Sequence, residues 1–363
     1  MTRLLQFLSC AAAGAIACAL AMLLSYDFFT ASNRKVPYSY TQFLLENVGA
    51  PRIVIDAGSS SMFGIDPALI EQAFGKPVID VADNGSIPLE MKIDRLMRYA
   101  REGDTLILPL EWVYYTRQSV PQDFTDKTPD EYAAYYASQP LADRLAFVVR
   151  HTSLHNLSDA GRLYLRTNLR QVHTARIQAD MAKWPLGDRK DDSRRHAYVD
   201  GKSCADYIAA AGTMVSDVAW AAAQLADLQV KRHIQVYVTW PAVAGTDCYF
   251  LKDNRLPIAD EARALFERHG ITVVGEPADS YFTPEHMLDT YYHIDSAAAR
   301  VRTERLVARL RDAGLPPDGT DNTTRGRLTV SLAAEAMQKL AQGLSAELPV
   351  QFTSGQARPV EAK

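Results

Sequence analysis

The sequence is poor in the features that mark several classes of protein. Its 363 residues include only four cysteines, and 39 Lys and Arg stand against 43 Asp and Glu. A disulfide-dense fold needs more cysteine, and a nucleic-acid-binding domain usually carries a basic excess. With 47% hydrophobic and 23% charged residues and no repeat, disordered and fibrous proteins are excluded too. We expect a globular protein with a large core and no nucleic-acid partner.

Long hydrophobic runs are equally scarce, and the clear one lies at the N-terminus. From Leu4 to Leu24 the only polar side chains are Gln6 and Ser9. A membrane-spanning helix needs about 20 apolar residues, whereas the apolar region of a cleaved signal has about 7–15. We predict an uncleaved signal anchor over residues 1–30 of a single-pass membrane protein, with the N-terminus inside and the main domain extracytoplasmic, in the periplasm or at the cell surface.

Two other interpretations of this segment stay open. The small-residue triplet at 17–19 fits a signal-peptidase site, and Cys18 fits the acylated cysteine of a lipoprotein. Orientation depends on few charges, because Arg34 and Lys35 follow the run while Arg3 precedes it. Each of these interpretations predicts that the body of the chain is exported.

Cysteine usage agrees with export. Cys10 and Cys18 lie in the apolar run, which leaves Cys204 and Cys248 as one pair in the body. They form either a disulfide or two unpaired buried thiols, because sequence does not give the Cα separation that a bridge requires. Two cysteines are too few for a structural zinc site, and the histidine spacings add no metal motif. We predict neither a metal nor a cofactor.

Strand-length apolar stretches alternate with helical patterns through most of the body. This alternation predicts an α/β fold, a doubly wound, flavodoxin-like sheet of five parallel strands. The predicted strands cover residues 52–55, 77–81, 105–110, 234–239 and 271–274. The predicted helices cover residues 67–74, 88–101, 259–269 and 296–312, with another ending near residue 228.

The middle of the body breaks this alternation. No strand pattern occurs between residues 116 and 201, and residues 130–149 and 159–183 have helical patterns. We therefore predict a mainly helical insertion at 116–215 between two parts of the α/β domain, 31–115 and 216–315. A C-terminal helix and tail occupy residues 316–363.

Polar residues cluster where the predicted sheet would bind a ligand, outside the carboxyl ends of its strands. The first strand is followed by Gly58-Ser59-Ser60-Ser61, and Asp289-Thr290-Tyr291-Tyr292-His293 precedes the last helix of the α/β domain. A serine after the first strand with a later Asp/His pair is the order found in SGNH (GDSL-type) hydrolases and acyltransferases. The chain resembles that superfamily over about residues 50–112 and 234–312.

The resemblance implies catalytic roles for three residues. Ser60 would be the nucleophile, His293 its general base, and Asp289 the carboxylate that orients the imidazole. Three residues separate Asp289 from His293, one more than in the family. Ser59 stands where the family has aspartate, and the backbone N–H groups of Ser60 and Gly85 would bind the oxyanion.

The third block of the family motif is where this chain departs from it. Family hydrolases have Gly-x-Asn-Asp there, and the asparagine donates a hydrogen bond to the oxyanion. This chain has Leu110-Glu111-Trp112, and an ionised glutamate cannot donate. Asn84, the Trp112 indole or a backbone group would then fill the role, or the oxyanion hole is weak.

Plainer interpretations of these residues also stay open. Serines 59–61 fit a polar turn at a strand end. Gly85 fits a turn that needs positive φ. Asp279 and Asp295 are alternatives to Asp289 as the partner of His293.

Four residues near the implied site are candidates for substrate binding: Ser59, Glu111, Trp112 and Trp240. Indole rings stack on sugars, but burial in a core explains these tryptophans as well. A basic stretch over residues 162–202 fits contact with lipid headgroups, with an anionic polymer, or simply with solvent.

The anchor, the Gly-Ser-Ser sequence and the missing asparagine together resemble the membrane-anchored branch of the superfamily. That branch includes the D-alanyl transfer protein of teichoic acids and the alginate O-acetylation proteins. The resemblance implies an O-acyltransferase that acts through an acyl-serine on an extracytoplasmic polysaccharide or cell-envelope glycan, with a membrane-bound acyl-donor protein as partner. The alternatives are a carbohydrate esterase or deacetylase, and a non-catalytic scaffold for polysaccharide synthesis or export.

Overall fold

The computed structural model describes residues 2–33, 40–117, 120–130, 132–168, 179–183, 186, 214–244, 257–317 and 328–341. The chain divides into two units. The first, here called the anchor unit, comprises Met1–Tyr38, Val120–Ala175 and Ala346–Lys363. The second, the sheet unit, comprises Ser39–Ser119 and Arg176–Ser345.

Parallel strands organise the sheet unit. Their bounds are β1 Ile53–Ile55, β2 Val78–Asp80, β3 Thr105–Pro109, β4 Gln235–Thr239, β5 Val243–Ala244, β6 Thr272–Val273 and β7 Tyr281–Phe282. Five of them form an all-parallel sheet in the order β2-β1-β3-β4-β6. This confirms the predicted α/β class and the five parallel strands. The sequence did not predict the second sheet, in which β5 pairs with β7, because two-residue strands have no measurable alternation.

Helices connect and flank these strands. Their bounds are α1 Thr2–Ser32, α2 Tyr40–Asn47, α3 Ser59–Gly64, α4 Pro67–Phe74, α5 Leu89–Tyr99, α6 Trp112–Thr116, α7 Gln122–Lys127, α8 Ala133–Ser138, α9 Leu141–His151, α10 Leu154–Asn168, α11 Ser216–Arg232, α12 Pro257–Arg268, α13 Ser296–Asp312 and α14 Leu328–Ala341. The bounds of α4 and α13 agree with the prediction. Aspartates cap both helices: Asp66 accepts the N–H of Ala68 at 3.1 Å, and Asp295 accepts that of Ala298 at 2.8 Å.

Three helical features differ from the sequence prediction. The short helices α2 and α3 were not predicted, because eight and six residues are too few for helical periodicity to be counted. The single helix predicted over residues 130–149 is two helices, α8 and α9. They are separated at Pro140, which lacks the N–H that a continuous helix needs.

Both faces of the five-stranded sheet are buried. Ile53 and Ile55 on β1 pack in one cluster with Phe74 of α4 and Leu310 of α13. Val54 points to the opposite face, because side chains alternate along a strand, and it is also fully buried. A sheet covered on both sides leaves its strand ends as the open edge where loops gather.

Glu46 on α2 should make stability depend on pH. Burial raises the pKa of its carboxyl to about 7, although the Tyr99 hydroxyl and Arg101 oppose this. In an unfolded chain a glutamate titrates near 4.3, so between these values the folded protein holds more protons and stability falls as the pH rises. We expect Glu46→Gln to reduce the fall in Tm of the full-length chain in detergent between about pH 5 and pH 7. An unchanged slope would contradict the burial of this carboxyl.

Helix α1 carries the apolar run of the anchor unit. The segment Gln6–Ser32 has a mean hydropathy of 2.3 and, among the described residues, is the helix long and apolar enough to cross a membrane. The end of α1 packs against α8, α9 and α10, around a core of Leu23, Tyr26, Phe29, Tyr136, Phe147, Val148, Leu157 and Ala160. The only acidic residue of α1, Asp27, accepts a hydrogen bond from the Tyr136 hydroxyl at 2.9 Å and lies 3.4 Å from Nε of Arg144.

The predicted helical insertion contributes α7 to α10 to the anchor unit. Most of its remainder, residues 169–178 and 187–213, lies outside the described residues. Cys204 and Cys248 lie outside them as well, so their pairing stays a prediction. Cys10 and Cys18 are exposed free thiols on α1.

Candidate functional site

The predicted site residues of the sheet unit follow the carboxyl ends of its strands. β1 leads into α3, which begins at Ser59, and β2 leads into the turn that contains Gly85. β3 ends just before Glu111, and β4 just before Trp240. A loop ahead of α13 supplies Asp289 and His293, and the His293 ring contacts α3.

Asp289 and His293 form a close pair. The Nδ1 atom of His293 lies 2.5 Å from Oδ1 of Asp289, and the N–H of Leu288 donates to the carbonyl of His293 at 2.8 Å, which closes the loop. The His293 ring packs on Phe63 with centroids 4.2 Å apart. Phe63 lies on α3 one turn after Ser60, so the imidazole is held beside the helix that carries the predicted nucleophile.

The two alternative aspartates are engaged elsewhere. Asp279 accepts hydrogen bonds from Arg309 at 3.0 and 3.2 Å and from the N–H of Glu276. Asp295 caps α13, and its other oxygen lies 3.1 Å from Nδ1 of His286. Asp289 is therefore the carboxylate in position to orient the His293 ring, through its contact with Nδ1.

The three consecutive serines occupy different environments. Ser60 is fully buried, and its Oγ accepts the N–H of Ala242 at 2.9 Å and lies 3.3 Å from the Ala242 carbonyl. Within the described residues Ser60 Oγ has no hydrogen bond to His293. Ser61 is buried with its hydroxyl 3.4 Å from Asp80, whereas Ser59 is partly exposed. The predicted nucleophile thus lies on the helix that the His293 ring contacts, and its hydroxyl is turned to the backbone of Ala242.

Glu111 occupies the position that the resemblance assigns to the oxyanion. Its Oε1 accepts the backbone N–H of Ser60 at 2.6 Å. A Cβ at Gly58 or Gly85 would collide with the Glu111 carboxylate. Gly85 does not have positive φ, so the close approach of Glu111, rather than turn strain, is what requires a glycine there.

The buried environment of Glu111 makes ionisation of its carboxyl unfavourable. The side chain is 1% exposed, and burial raises the pKa of its carboxyl, although the Ser60 N–H and Lys92 oppose the shift. The sequence predicted Glu111 as a substrate-binding candidate. In the structure its carboxylate is enclosed by two glycines and bound to the Ser60 N–H, so it is not exposed to a ligand in this arrangement, and a role in substrate binding stays a prediction.

An ion network fixes the strand ends around Glu111. Arg95 binds Asp56 through two hydrogen bonds, at 2.6 and 3.0 Å, and Asp83 at 2.7 Å. Lys92 contacts Asp83 and donates to the carbonyl of Ala57 at 2.7 Å. Burial opposes the ionisation of Asp83, but the two cations outweigh it and lower its pKa. The network joins the end of β1 to the loop after β2 and so sets the spacing around the site.

Arg302 is a site residue that the sequence did not predict. Its fully buried guanidinium donates to the carbonyl of Ser60 at 2.9 Å and to that of Trp240 at 2.8 Å. Burial lowers its pKa to about 9, against the effect of Asp80 and Glu111. Arg302 thereby ties α13 to two strand-end loops. Nothing in the sequence marked it, because it is one of several arginines on a basic helix.

Trp112, Trp240 and Asn84 all make contacts within the fold. Trp112 and Trp240 are at most 1% exposed and stack on each other, with centroids 5.4 Å apart. Their faces are therefore covered and not open to a sugar. The Trp112 indole N–H has no hydrogen-bond partner within the described residues. The Asn84 side chain accepts the N–H of Ser86 at 2.9 Å, as expected for a turn residue.

Comparisons with known proteins add no further support. The chain matches no model of a protein family and no curated protein sequence. Within the described parts of the chain, no three His, Cys, Asp or Glu side chains group as a metal site. The residues of the site itself are therefore what supports a function.

Proposed function

We propose that this chain is a membrane-anchored, SGNH-like O-acyltransferase whose extracytoplasmic domain modifies a polysaccharide or cell-envelope glycan. The observation that carries the proposal is the Asp289–His293 pair, held against α3 at the carboxyl edge of a parallel sheet. The doubly wound SGNH arrangement belongs to the proposal too. Its support is the β2-β1-β3-β4-β6 strand order with buried faces on both sides.

The proposed reaction passes through an acyl-serine. Ser60 Oγ attacks the carbonyl carbon of the acyl donor while His293 Nε2 takes the serine proton, and Asp289 stabilises the imidazolium. The tetrahedral intermediate breaks its bond to the leaving group, which receives the proton from His293. A sugar hydroxyl then attacks the acyl-serine by the same route, so the acyl group leaves on the sugar and Ser60 regains its proton.

Two movements must precede this chemistry. Ser60 has to turn its hydroxyl from Ala242 to His293, a change between staggered rotamers. Glu111 has to release the Ser60 N–H so that this donor can bind the developing oxyanion. The arrangement described above is then the resting state, and substrate or donor binding supplies the energy for both movements.

Burial of the serine favours transfer over hydrolysis. An acyl group on a hydroxyl that is 0% exposed is shielded from bulk water, and a site that excludes water protects a reactive intermediate until the acceptor arrives. An esterase or deacetylase on the same polymers remains the nearest enzymatic alternative. The transferase and the esterase are distinguished by whether water alone releases the acyl group from the serine.

A non-catalytic scaffold is the second candidate, and a specific observation favours it. The Ser60 N–H is bound to Glu111 and the Ser60 hydroxyl to Ala242, so both reactive groups are already satisfied. An SGNH-like domain with this arrangement could bind a glycan without breaking an ester. In that case Asp289 and His293 would have only a structural role, which is to hold the loop ahead of α13.

Incubation of the full-length chain, in detergent, with a serine-directed phosphonate tests the proposal. We expect one adduct by intact mass, located by peptide mapping in the α3 segment, and no adduct on heat-denatured protein. With an aryl acetate in its place, the acetyl adduct should persist in water and be discharged by oligosaccharide. Rapid discharge by water would indicate an esterase, and no adduct on folded protein would support the scaffold.

A further inference from the structure

Exposed large apolar side chains are concentrated on one part of the anchor unit. Outside α1 they are Leu141, Val149, Leu154 and Leu165, all on α9 and α10, and only Val230 and Val301 in the much larger described part of the sheet unit. Val149 is 70% exposed and Leu154 66%. Scattered apolar residues on a surface need no explanation, but such a concentration on two consecutive helices does.

Helical spacing aligns these side chains. Leu141 and Val149 lie two turns apart on α9, with Leu145 between them, and Leu154 and Leu165 lie three turns apart on one face of α10. Arg150 and Arg166 are exposed beside them, and neither forms an ion pair within the described residues.

A membrane-spanning α1 would bring the bilayer close to these helices. A hydrocarbon core about 30 Å thick takes about 20 helical residues, which counted from Gln6 ends near Ser25. The small core that holds α8, α9 and α10 on α1 begins at Leu23 and includes Tyr26 and Phe29. Asn33 continues the contact by donating to the carbonyl of Ala160 at 3.1 Å. The helices that expose the apolar residues are therefore packed on α1 at the level where it leaves the hydrocarbon.

We propose that α9 and α10 lie on the bilayer surface, with Leu141, Val149, Leu154 and Leu165 inserted among the upper acyl chains. Arg150 and Arg166 would contact lipid phosphates, as basic residues of interfacial helices do. The proposal depends on the membrane anchor proposed above, because continuity with α1 is what identifies lipid as the occupant. It does not depend on the chemistry at Ser60.

Lipid quenching tests this surface on the full-length chain. An environment-sensitive fluorescent amino acid replaces Val149 or Leu165, and in matched controls Val230 or Val301, with one chain in each phospholipid nanodisc. Val230 is 75% exposed on a helix, so it matches Val149 in residue type and exposure. Lipids brominated in the upper acyl chain should quench the probes at 149 and 165 at least twofold more than those at 230 and 301.

Two outcomes would overturn the proposal. Quenching at 149 and 165 that is no stronger than at 230 and 301 would mean that α9 and α10 do not make the proposed preferential contact with lipid. A probe at 149 that is not quenched with one chain in each nanodisc, but becomes shielded from water in liposomes that hold several chains, would identify a second copy as the occupant. Phosphonate labelling of the same samples reports the proposed chemistry separately, so the failure of either proposal is recognised without the other.

Discussion

Replacing Ser60 with alanine is expected to abolish phosphonate labelling, and His293→Ala is expected to slow it by at least about a thousandfold. Ser60→Ala removes the proposed nucleophile. His293→Ala removes the proposed base, which lies 2.5 Å from Asp289, and a serine hydroxyl is a weak nucleophile without a base. The measurement is the rate of adduct formation by intact mass on full-length protein.

The neighbouring serines provide matched controls. Ser59→Ala and Ser61→Ala make the same change on the same helix and should leave the labelling rate within about threefold of wild type. Loss of labelling in Ser59→Ala, with labelling retained in Ser60→Ala, would identify Ser59 as the nucleophile and contradict the assignment. The partial exposure of Ser59 makes this the most informative comparison.

Folding has to be monitored in these variants because Ser60 also has a structural role. Its Oγ accepts the buried N–H of Ala242 at 2.9 Å, and an unpaired buried N–H costs about 1–3 kcal/mol. A lower Tm is therefore expected for Ser60→Ala even if the site is catalytic. His293→Ala leaves that hydrogen bond intact, so loss of labelling in a normally folded His293→Ala protein separates chemistry from stability.

The strands and the Asp/His pair could be predicted from sequence for definite reasons. Strands such as Thr105–Pro109 are continuous apolar runs bounded by polar turns, the pattern of a sheet buried on both faces. Asp289 and His293 are four residues apart in one loop, so their contact is local. Such features depend on neighbouring residues and hence are visible in the chain itself.

The surroundings of Ser60 could not be predicted because they depend on residues far away in the chain. Ala242 lies 182 positions away and Arg302 lies 242 away, and neither has a motif. Glu111 was recognised as a departure from the SGNH motif that the sequence resembles, but its insertion between Gly58 and Gly85 depends on how three strand ends meet. Its residue type is visible in the sequence, but its position is determined by the fold.

Glu111→Gln is expected to increase the rate of phosphonate labelling by about tenfold or more. A carboxylate about 4 Å from a developing oxyanion costs about 4 kcal/mol at an effective dielectric constant of 20. Glutamine has the same shape and no charge. In the resting state its side-chain carbonyl can still accept the hydrogen bond from the Ser60 N–H. Its amide N–H can donate to the oxyanion, which is the role of the third-block asparagine in SGNH hydrolases. Glu46→Gln is the matched control, since Glu46 contacts Gln42 and Tyr99 and should leave the rate unchanged.

The pH dependence identifies the charge of Glu111 as the cause. Because burial raises the pKa of Glu111, acidification neutralises it at a higher pH than an exposed glutamate, so the ratio of the Glu111→Gln rate to the wild-type rate should shrink as the pH falls. A variant that labels more slowly than wild type at every pH, with an unchanged Tm, would mean that the carboxylate assists the reaction. A slower variant with a lowered Tm would mean that the Glu111 carboxylate mainly supports the fold. Either result would contradict the interpretation of Glu111 as a displaceable occupant of the oxyanion site.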